Sequence, residues 1–302
     1  MKMTKPFLVL ISVFLGLGVI LFFSKDKKER NSKTLLSEQT SSTQSQEPHP
    51  TLLFQSGFEG VSLSSSKEGY QYIRGKDIET GYSWPVYILG SDFSGIHRVN
   101  DDNGNAISNR LEKVQGPKGN ITTTLYQEVG YDVQVTQTPY QINNIRKNPK
   151  ELYISYWIKT DSLSLLGKDQ WRAIWEYKTK GYAENNGFRM IAYMAKDIHG
   201  KPFWLFQGDK NPQVPIWQVE NYNIPLIKGK WFKLEFFIKW SESQKGYACM
   251  KVNNQLIGEH YGPTTHNHQP MDFMMLTQVY GNSYPMYQWV DDLQIWNGNP
   301  VQ

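Results

Sequence analysis

Hydrophobic and polar residues alternate along much of the chain after residue 50, most clearly in residues 152–159, 232–240 and 273–280. Successive side chains of a β-strand point to opposite faces, so a period of two is typical of strands with one buried face. Residues that favour turns separate these runs, at 185–187, 197–200, 228–230 and 253–254. No helical period of useful length follows residue 50, and the pattern therefore predicts an all-β domain.

The Asn253-Asn254 pair predicts a two-residue hairpin turn, because asparagine tolerates positive φ at little cost. Many short strands joined by hairpins are typical of sandwiches and barrels. The sequence has no visible internal repeat, and residues 51–302 are long enough to bury a sizeable core. We therefore expect one large β domain over residues 51–302.

The first part of the chain has a different character. Residues 6–23 carry no charge, and Lys2 and Lys5 precede them. A helix rises roughly 1.5 Å per residue, so a run of this length comes close to spanning the hydrocarbon core of a bilayer. The run is longer than a usual cleavable core and no small-x-small cleavage site follows it, so residues 1–24 predict a transmembrane signal anchor. A cleaved signal peptide is the alternative.

Residues 25–50 are rich in Ser, Thr, Gln, Lys and Glu and contain no aromatic residue. Such a composition cannot bury enough apolar surface to fold, so it predicts a flexible linker. The net charge of the whole chain is only +4, with no concentrated basic stripe, and we expect no nucleic-acid partner. The single cysteine, Cys249, excludes an internal disulfide framework.

Three segments carry a resemblance to a known superfamily. Residues 229–236 (GKWFKLEF) resemble the G-x-W strand of laminin-G-like and polysaccharide-lyase-like jelly rolls. Residues 246–257 match the following hairpin of that family, with Asn254 in place of the usual glycine, and residues 152–159 match an earlier strand. In this order the motifs are similar to the concanavalin A-like lectin/glucanase superfamily.

The resemblance implies a two-sheet antiparallel jelly-roll sandwich in which the first and last strands lie side by side. Residues 54–59 are then expected near residues 290–296. It also implies a domain outside the cytoplasm, periplasmic or on the cell surface. Four basic residues after the hydrophobic run favour the opposite orientation by the positive-inside rule: Lys25, Lys27, Lys28 and Arg30.

Acidic residues at both ends of the domain point to a cation site. In similar jelly rolls a carboxylate near the first strand and an aspartate from the last strand bind Ca²⁺, and Glu59, Asp291 and Asp292 hold the matching positions. Adjacent strand residues face opposite ways, so both aspartates reach one ion only if the strand is distorted. The alternative is that one aspartate accepts backbone hydrogen bonds and the other is solvated.

A charged and aromatic set of strands predicts a ligand surface. Alternation places Arg172 and Glu176 on one face of residues 171–178, and Arg189 and Tyr193 on one face of the next run. Such a face suits a polysaccharide, because rings pack on sugar faces and guanidinium groups bind carboxylates. The predicted ligand-binding residues are Arg172, Glu176, Arg189, Tyr193 and Gln207. The alternative is that the aromatic residues only fill the core.

The sequence carries few other signs of metal binding or catalysis. His266 and His268 lie in a loop, where they could bind a metal, act as acid or base, or be solvated. The sequence lacks the Glu-x-Asp-x-x-Glu signature of similar β-glucanases and the Gln-x-His motif of alginate lyases of this fold. No strand offers the two close carboxyl groups that retaining hydrolysis requires.

Three functions therefore stay open. The first is a membrane-tethered protein that binds polysaccharides, preferentially acidic ones. The second is a polysaccharide lyase that cleaves polyuronates by β-elimination, with Arg172, Arg189, Tyr193 and Gln207 as candidates for neutralising the uronate and taking its proton. The third is a protein-binding surface module on the same fold.

Overall fold

The computed structural model describes residues 49–65, 70–88, 93–98, 109–129, 140–143, 149–211, 213–277, 280–283 and 286–301. The predicted anchor at residues 1–24, and the linker apart from its last two residues, lie outside these ranges. Within these ranges, none of the chain forms a helix long and apolar enough to cross a membrane.

The described residues form only strands, turns and irregular segments. The strands are β1 Leu52–Ser56, β2 Ser62–Ser65, β3 Tyr70–Lys76, β4 Ser83–Trp84, β5 Phe93–Arg98, β6 Asn109–Gln115, β7 Ile121–Val129, β8 Tyr140–Asn143, β9 Glu151–Thr160, β10 Gln170–Thr179, β11 Arg189–Lys196, β12 Pro202–Lys210, β13 Val214–Asn221, β14 Trp231–Lys239, β15 Tyr247–Val252, β16 Gln255–Tyr261, β17 Met271–Thr277, β18 Tyr280–Gly281 and β19 Met286–Trp296.

These strands build two antiparallel sheets. The small sheet has 8 strands in the order β16-β15-β14-β9-β19-β7-β6, and β1 also pairs with β19. The large sheet has 11 strands in the order β13-β12-β11-β10-β17-β8-β5-β3-β2, with β18 beside β10 and β4 beside β3. The prediction of an all-β antiparallel domain with two sheets is therefore confirmed for the described residues.

The core lies between the two sheets and follows the alternation of the sequence. Every second residue of β9 and β14 is buried in it, from Leu152 to Ile158 and from Phe232 to Ile238. The large sheet contributes Trp175, whose ring stacks on that of Phe236 of the small sheet with centroids 4.5 Å apart. Interlocked aromatic rings of this kind bury large apolar areas and fix how the two sheets stack.

The two ends of the domain meet in the small sheet. Residues 52–56 of β1 pair with residues 293–296 of β19, as the jelly-roll resemblance predicted. The predicted hairpin is also present, because Asn253 and Asn254 join β15 to β16 with φ of 48° and 65°. Paired first and last strands within two stacked antiparallel sheets are the arrangement that the concanavalin A-like resemblance implied.

Candidate functional site

A β-bulge in β10 decides which predicted residues share a face. The pairing register of β10 with β11 shifts between Ala173 and Trp175. Before the shift Arg172 pairs with Met194, whereas after it Glu176 pairs with Ile191. Met194 and Ile191 are an odd number of residues apart on one strand, so they face opposite ways. Arg172 and Glu176 therefore lie on opposite faces of the large sheet.

The other predicted ligand residues do share a face. Gln207 of β12 pairs with Ile191, which in turn pairs with Glu176. Arg189 and Tyr193 are each two positions from Ile191 on β11 and point the same way. We call this outer surface the charged face, and it consists of Glu176, Lys178, Arg189, Tyr193, Gln207 and Asp209.

The strongest interaction on the charged face joins neighbouring strands. Arg189 and Asp209 are register partners, and Arg189 donates from Nε to Oδ1 of Asp209 at 3.0 Å and from Nη2 to Oδ2 at 2.6 Å. Gln207 Nε2 and the Tyr182 hydroxyl donate to the same carboxylate, at 2.7 and 2.8 Å. Asp209 is fully buried, and this set of donors compensates its charge.

A second ion pair lies beside the first. Lys178 Nζ is 2.8 Å from Glu176 Oε1, and the Lys178 side chain keeps 19% of its surface exposed while that of Glu176 keeps 1%. The Tyr182 ring lies 5.2 Å from Lys178 Nζ and 5.3 Å from Arg189 Cζ, close enough for cation–π attraction to both. Lys178 is thus the more accessible of the two cations.

The pKa values on this face move in directions that follow from burial. Burial would lower the pKa of Arg189, but Tyr193, Asp209 and Glu176 outweigh it and the net pKa is raised. Burial raises the pKa of Tyr193, with Glu176 and Asp209 adding to the rise and Arg189 opposing it. Near neutral pH the face therefore holds a charged guanidinium beside a protonated phenol.

Two aromatic rings border the charged face. The half-buried Trp171 and Tyr193 side chains contact each other with ring centroids 5.4 Å apart and planes at 90°. Ala173, the register partner of Tyr193, adds only a methyl group between them on this face. The arrangement joins apolar ring surface to fixed hydrogen-bonding groups, which is how binding sites combine affinity with orientation.

Arg172 serves a different purpose. Its guanidinium is fully buried on the inner side of the large sheet, with Nη1 2.5 Å from Asp161 Oδ2. Its Nη2 donates to Gln288 Oε1 at 3.3 Å, which links β10 to the last strand of the small sheet. The expectation that Arg172 shares a face with Glu176 is corrected here, and the physical reason is the extra residue at the bulge.

The predicted cation residues occupy one corner of the small sheet. Asp292 has φ of 48°, and the pairing of β19 with β9 shifts register between Asp291 and Gln294. A Cβ placed on Gly57 would lie 3.5 Å from Asp291 Oδ1 and 3.6 Å from Asp292 Oδ1. The strand is thus distorted at this pair, and both aspartates direct an oxygen towards Gly57.

The surroundings of these carboxylates differ. Glu59 accepts hydrogen bonds from the backbone N–H and hydroxyl of Thr123 at 2.5 and 2.7 Å, and Asp292 lies 2.7 Å from Lys118 Nζ. Burial, followed by the charge of Asp292, raises the pKa of Asp291 to about 7. Among the described residues no three His, Cys, Asp or Glu side chains are grouped as metal ligands, and calcium at this corner stays a prediction.

The histidines of residues 260–268 have different surroundings in the structure. His260 stacks on Trp217 with ring centroids 4.4 Å apart, and burial lowers its pKa. His268 is exposed, with Nδ1 3.2 Å from Glu242 Oε1. Burial also lowers the pKa of His266. The three histidines have different surroundings, and the loop adds nothing to the charged face.

Sequence reasoning missed three residues that shape the charged face and its neighbourhood. Asp209 and Tyr182 complete the Arg189 cluster, and Asp161 holds Arg172. Asp209 had a usable signal, because it lies two residues after Gln207 and so faces the same way on a strand. Tyr182 and Asp161 lie in loops, where no sequence period indicates direction.

Comparisons with known proteins find similarity only to solved structures of low sequence identity. No family model and no curated protein matches this chain. Similar solved structures include an endo-β-1,4-glucuronan lyase from the fungus Trichoderma reesei, 12% identical over 70% of this chain and 99% of that one, with a TM-score of 0.46.

Two further examples are more distant. An alginate lyase from Aplysia kurodai is 11% identical over 63% of this chain and 86% of that one, with a TM-score of 0.41. A galectin from Caenorhabditis elegans is 12% identical over 52% of this chain and 90% of that one, with a TM-score of 0.34. Similarity at this level assigns no activity to this chain.

Proposed function

We propose that residues 51–302 form a polysaccharide-binding domain whose charged face takes acidic glycans. The observation that carries this proposal is the fixed array of donors and acceptors beside the rings of Trp171 and Tyr193. Arg189, Gln207 and Tyr182 are already held in place by Asp209, so a ligand would lose little of its binding energy to ordering these groups.

The preference for acidic glycans rests on Lys178. Its side chain keeps partial exposure, so its ammonium group is the accessible positive charge of the face. A uronate carboxylate near Lys178 would share the ammonium with Glu176, and the Tyr193 hydroxyl would donate to sugar oxygens. Ion pairs near water are weak and screened by salt, so the affinity should be modest and should fall as salt rises.

The placement in the cell belongs to the same proposal. Residues 1–24 would hold the domain on a membrane, and residues 25–50 would separate the two. The uncharged run at 6–23 supports the anchor, and the absence of aromatic residues in 25–50 supports the linker. We place the domain outside the cytoplasm, where extended polysaccharides occur.

A calcium ion at Asp291 and Asp292 is also proposed. Two carboxylate oxygens face one spot there, and the raised pKa of Asp291 marks a carboxylate whose charge is poorly compensated. Glu59 fits the ion less well, because its oxygens already accept hydrogen bonds from Thr122 and Thr123. The ion would fix the junction between β1 and β19 and take no part in glycan binding.

One observation keeps the lyase function as a second candidate. Tyr193 lies on the same face as Arg189 and Gln207, and β-elimination needs a base beside groups that neutralise a carboxylate. Against it, burial raises the pKa of the Tyr193 hydroxyl, so the basic phenolate is scarce near neutral pH. Binding without cleavage is therefore the function that this geometry supports best.

The test is a titration of residues 51–302 against a panel of oligosaccharides. Calorimetry with oligomers of galacturonate, alginate and glucuronan should show binding, and neutral cello-oligomers should bind more weakly. Ultraviolet absorbance of unsaturated uronates, followed in the same mixtures, measures cleavage. Absorbance that grows with time would favour the lyase, and absence of binding to every oligomer would leave the protein-binding module as the better account.

A further inference from the structure

The outer face of the small sheet, on the side of the sandwich opposite the charged face, contains a small cavity of its own. Its walls come from β9, β14 and β15, with Tyr153, Glu235, Phe237 and Cys249 among the lining residues. Asn299 and the exposed Val301 form part of its rim. The enclosed volume is about 20 Å³, which is room for one water molecule or one hydroxyl group.

Glu235 gives this cavity its chemistry. Its side chain is about 95% buried, since only 5% of its surface remains exposed. Oxygen Oε1 accepts a hydrogen bond from the Tyr153 hydroxyl at 2.5 Å and lies 3.3 Å from Lys233 Nζ. Oxygen Oε2 is buried, and none of the residues that the structure describes donates a hydrogen bond to it. A buried carboxylate oxygen without a donor costs free energy, so a hydrogen-bond donor that binds beside Glu235 Oε2 would be stabilised there.

The charges around the cavity select a neutral donor. Lys233 already compensates the Glu235 carboxylate, and Lys251 also lines the cavity. An ammonium ligand would meet two like charges, whereas a hydroxyl donates without adding charge. Burial raises the pKa of Cys249, which leaves an uncharged thiol rather than a metal-binding thiolate.

Aromatic rings provide an apolar surface around the same point. Tyr153 and Phe237 form a buried cluster with Cys249, and the half-buried Tyr247 and Trp296 pack against it. Tyr261 extends this surface, with its ring 4.8 Å from that of Tyr247 and 67% of the residue exposed. Ring surfaces beside one deep hydrogen-bonding position suit a ligand that is apolar on one side and carries hydroxyl groups, which describes a sugar residue.

We propose that this cavity anchors a second carbohydrate site, for a neutral sugar residue. One hydroxyl group of the sugar enters the cavity and donates to Glu235 Oε2, while the sugar ring packs on the neighbouring rings of Tyr247 and Trp296, which lie against the cluster of Tyr153, Phe237 and Cys249. The site does not depend on the charged face, because the two lie on opposite sides of the sandwich. A domain with both sites would bind one acidic and one neutral segment of polysaccharide.

The sole cysteine of the chain provides the assay, because Cys249 lines the cavity. The probes are the methyl glycosides of glucose, mannose, galactose and xylose, added to residues 51–302. At about ten times its Kd, a glycoside that fills the cavity should slow alkylation of Cys249 by iodoacetamide about tenfold. It should also shift backbone amide resonances of β9, β14 and β15.

Two variants test whether binding depends on the Glu235 carboxylate rather than on any carboxylate of this face. Glu235→Gln should weaken glycoside binding at least about tenfold, because it removes the charged acceptor. Glu151→Gln changes a half-buried carboxylate on the same face of β9 that does not line the cavity, and this variant should bind as the parent does. If Glu235→Gln does not fold, the protection of Cys249 in the unsubstituted domain still decides the matter.

Three results would overturn the proposal. In the first, no glycoside of the panel protects Cys249 or shifts the amide resonances of β9, β14 and β15. In the second, Glu235→Gln binds the glycoside as tightly as the parent does. In the third, an excess of galacturonate oligomer displaces the glycoside, which would assign both ligands to the charged face. Binding of the glycoside in a domain that binds no uronate would support this site while contradicting the function proposed above.

Discussion

Two buried arginine–aspartate pairs lie on opposite faces of the large sheet and differ in what surrounds them. Arg172 and Asp161 face the core, where Arg172 also donates to Gln288 and to the Tyr287 carbonyl, and Asp161 accepts from the Tyr287 N–H. Arg189 and Asp209 face outward, where Tyr182 and Gln207 donate to the aspartate and Tyr193 lies alongside. The closest N–O distances, 2.5 and 2.6 Å, are almost equal.

A buried ion pair is therefore not by itself a sign of a binding site. The inner pair joins β10 to the segment after β9, which is a structural task. The outer pair holds side chains in place on a face that also carries an accessible lysine and two half-buried rings. Neighbouring groups, rather than the strength of the pair, distinguish the two tasks.

The largest expected effect comes from breaking the inner pair. Arg172→Ala leaves the Asp161 carboxylate buried without its counter-charge, so the free energy of unfolding should fall by about 3–5 kcal/mol. Chemical denaturation of residues 51–302 measures it. The double variant Arg172→Met with Asp161→Asn should recover much of the loss, because neither charge then remains buried and an amide oxygen at position 161 can still accept from the N–H groups of Leu163 and Ser164. A loss below about 1 kcal/mol for Arg172→Ala would contradict a structural role for this pair.

Asp291 is a buried carboxylate of a different kind, because no arginine within the described ranges pairs with it. Its pKa in the folded domain, about 7, exceeds the ordinary value of 3.8. The stability that protonated Asp291 contributes is therefore complete below pH 3.8 and is lost as the pH rises through 7. Without a metal ion, Asp291→Asn should leave stability unchanged at the acid end and raise it by about 4 kcal/mol above neutral pH.

The measurement is chemical denaturation of both proteins at acid and alkaline pH, in chelator and then in calcium. Asp292→Asn should lower the pKa of Asp291, because it removes the neighbouring negative charge, and it should also weaken calcium binding if both aspartates hold the ion. If calcium stabilises the parent but not Asp291→Asn, the proposed ion is supported. A stability difference that does not change with pH in chelator would refute the raised pKa.

A smaller effect is expected from a substitution on the charged face, at Lys178. Lys178→Gln removes the accessible cation, so binding of a galacturonate oligomer should weaken about fivefold, equivalent to about 1 kcal/mol. Lys239→Gln is a matched control, because Lys239 pairs with Glu151 at 3.3 Å on the other sheet. Calorimetry of both variants gives the ratio of Kd values. Equal losses in the two variants would indicate a general charge effect rather than a site.

The fold could be predicted from the sequence to the level of sheets and faces. In β9 and β14 the positions that face the core between the sheets are the ones that alternation indicated, because the pairing of these two strands has no bulge. Residues 52–56 and 293–296 pair as expected, since motifs at both ends of the domain carried that information.

The site could be predicted only in part, for a local reason. Alternation correctly grouped Glu176 with Arg189, Tyr193 and Gln207 but misplaced Arg172, since the extra residue Ile174 reverses the faces. A bulge depends on how two strands pair, and the sequence of β10 alone does not reveal it. Asp161 and Tyr182 approach from loops, where direction depends on the folded backbone.

The most direct test of the central claim compares one oligosaccharide in two charge states. A galacturonate oligomer and its fully methyl-esterified form share the same sugar, yet only the first carries carboxylates. Calorimetric titration of residues 51–302 with both, at low and at high salt, measures how much of the binding depends on charge. If the charged face binds acidic glycans, the free acid binds more tightly and the difference shrinks as salt rises. Equal affinities for the two forms, or no binding of the free acid, would contradict the account.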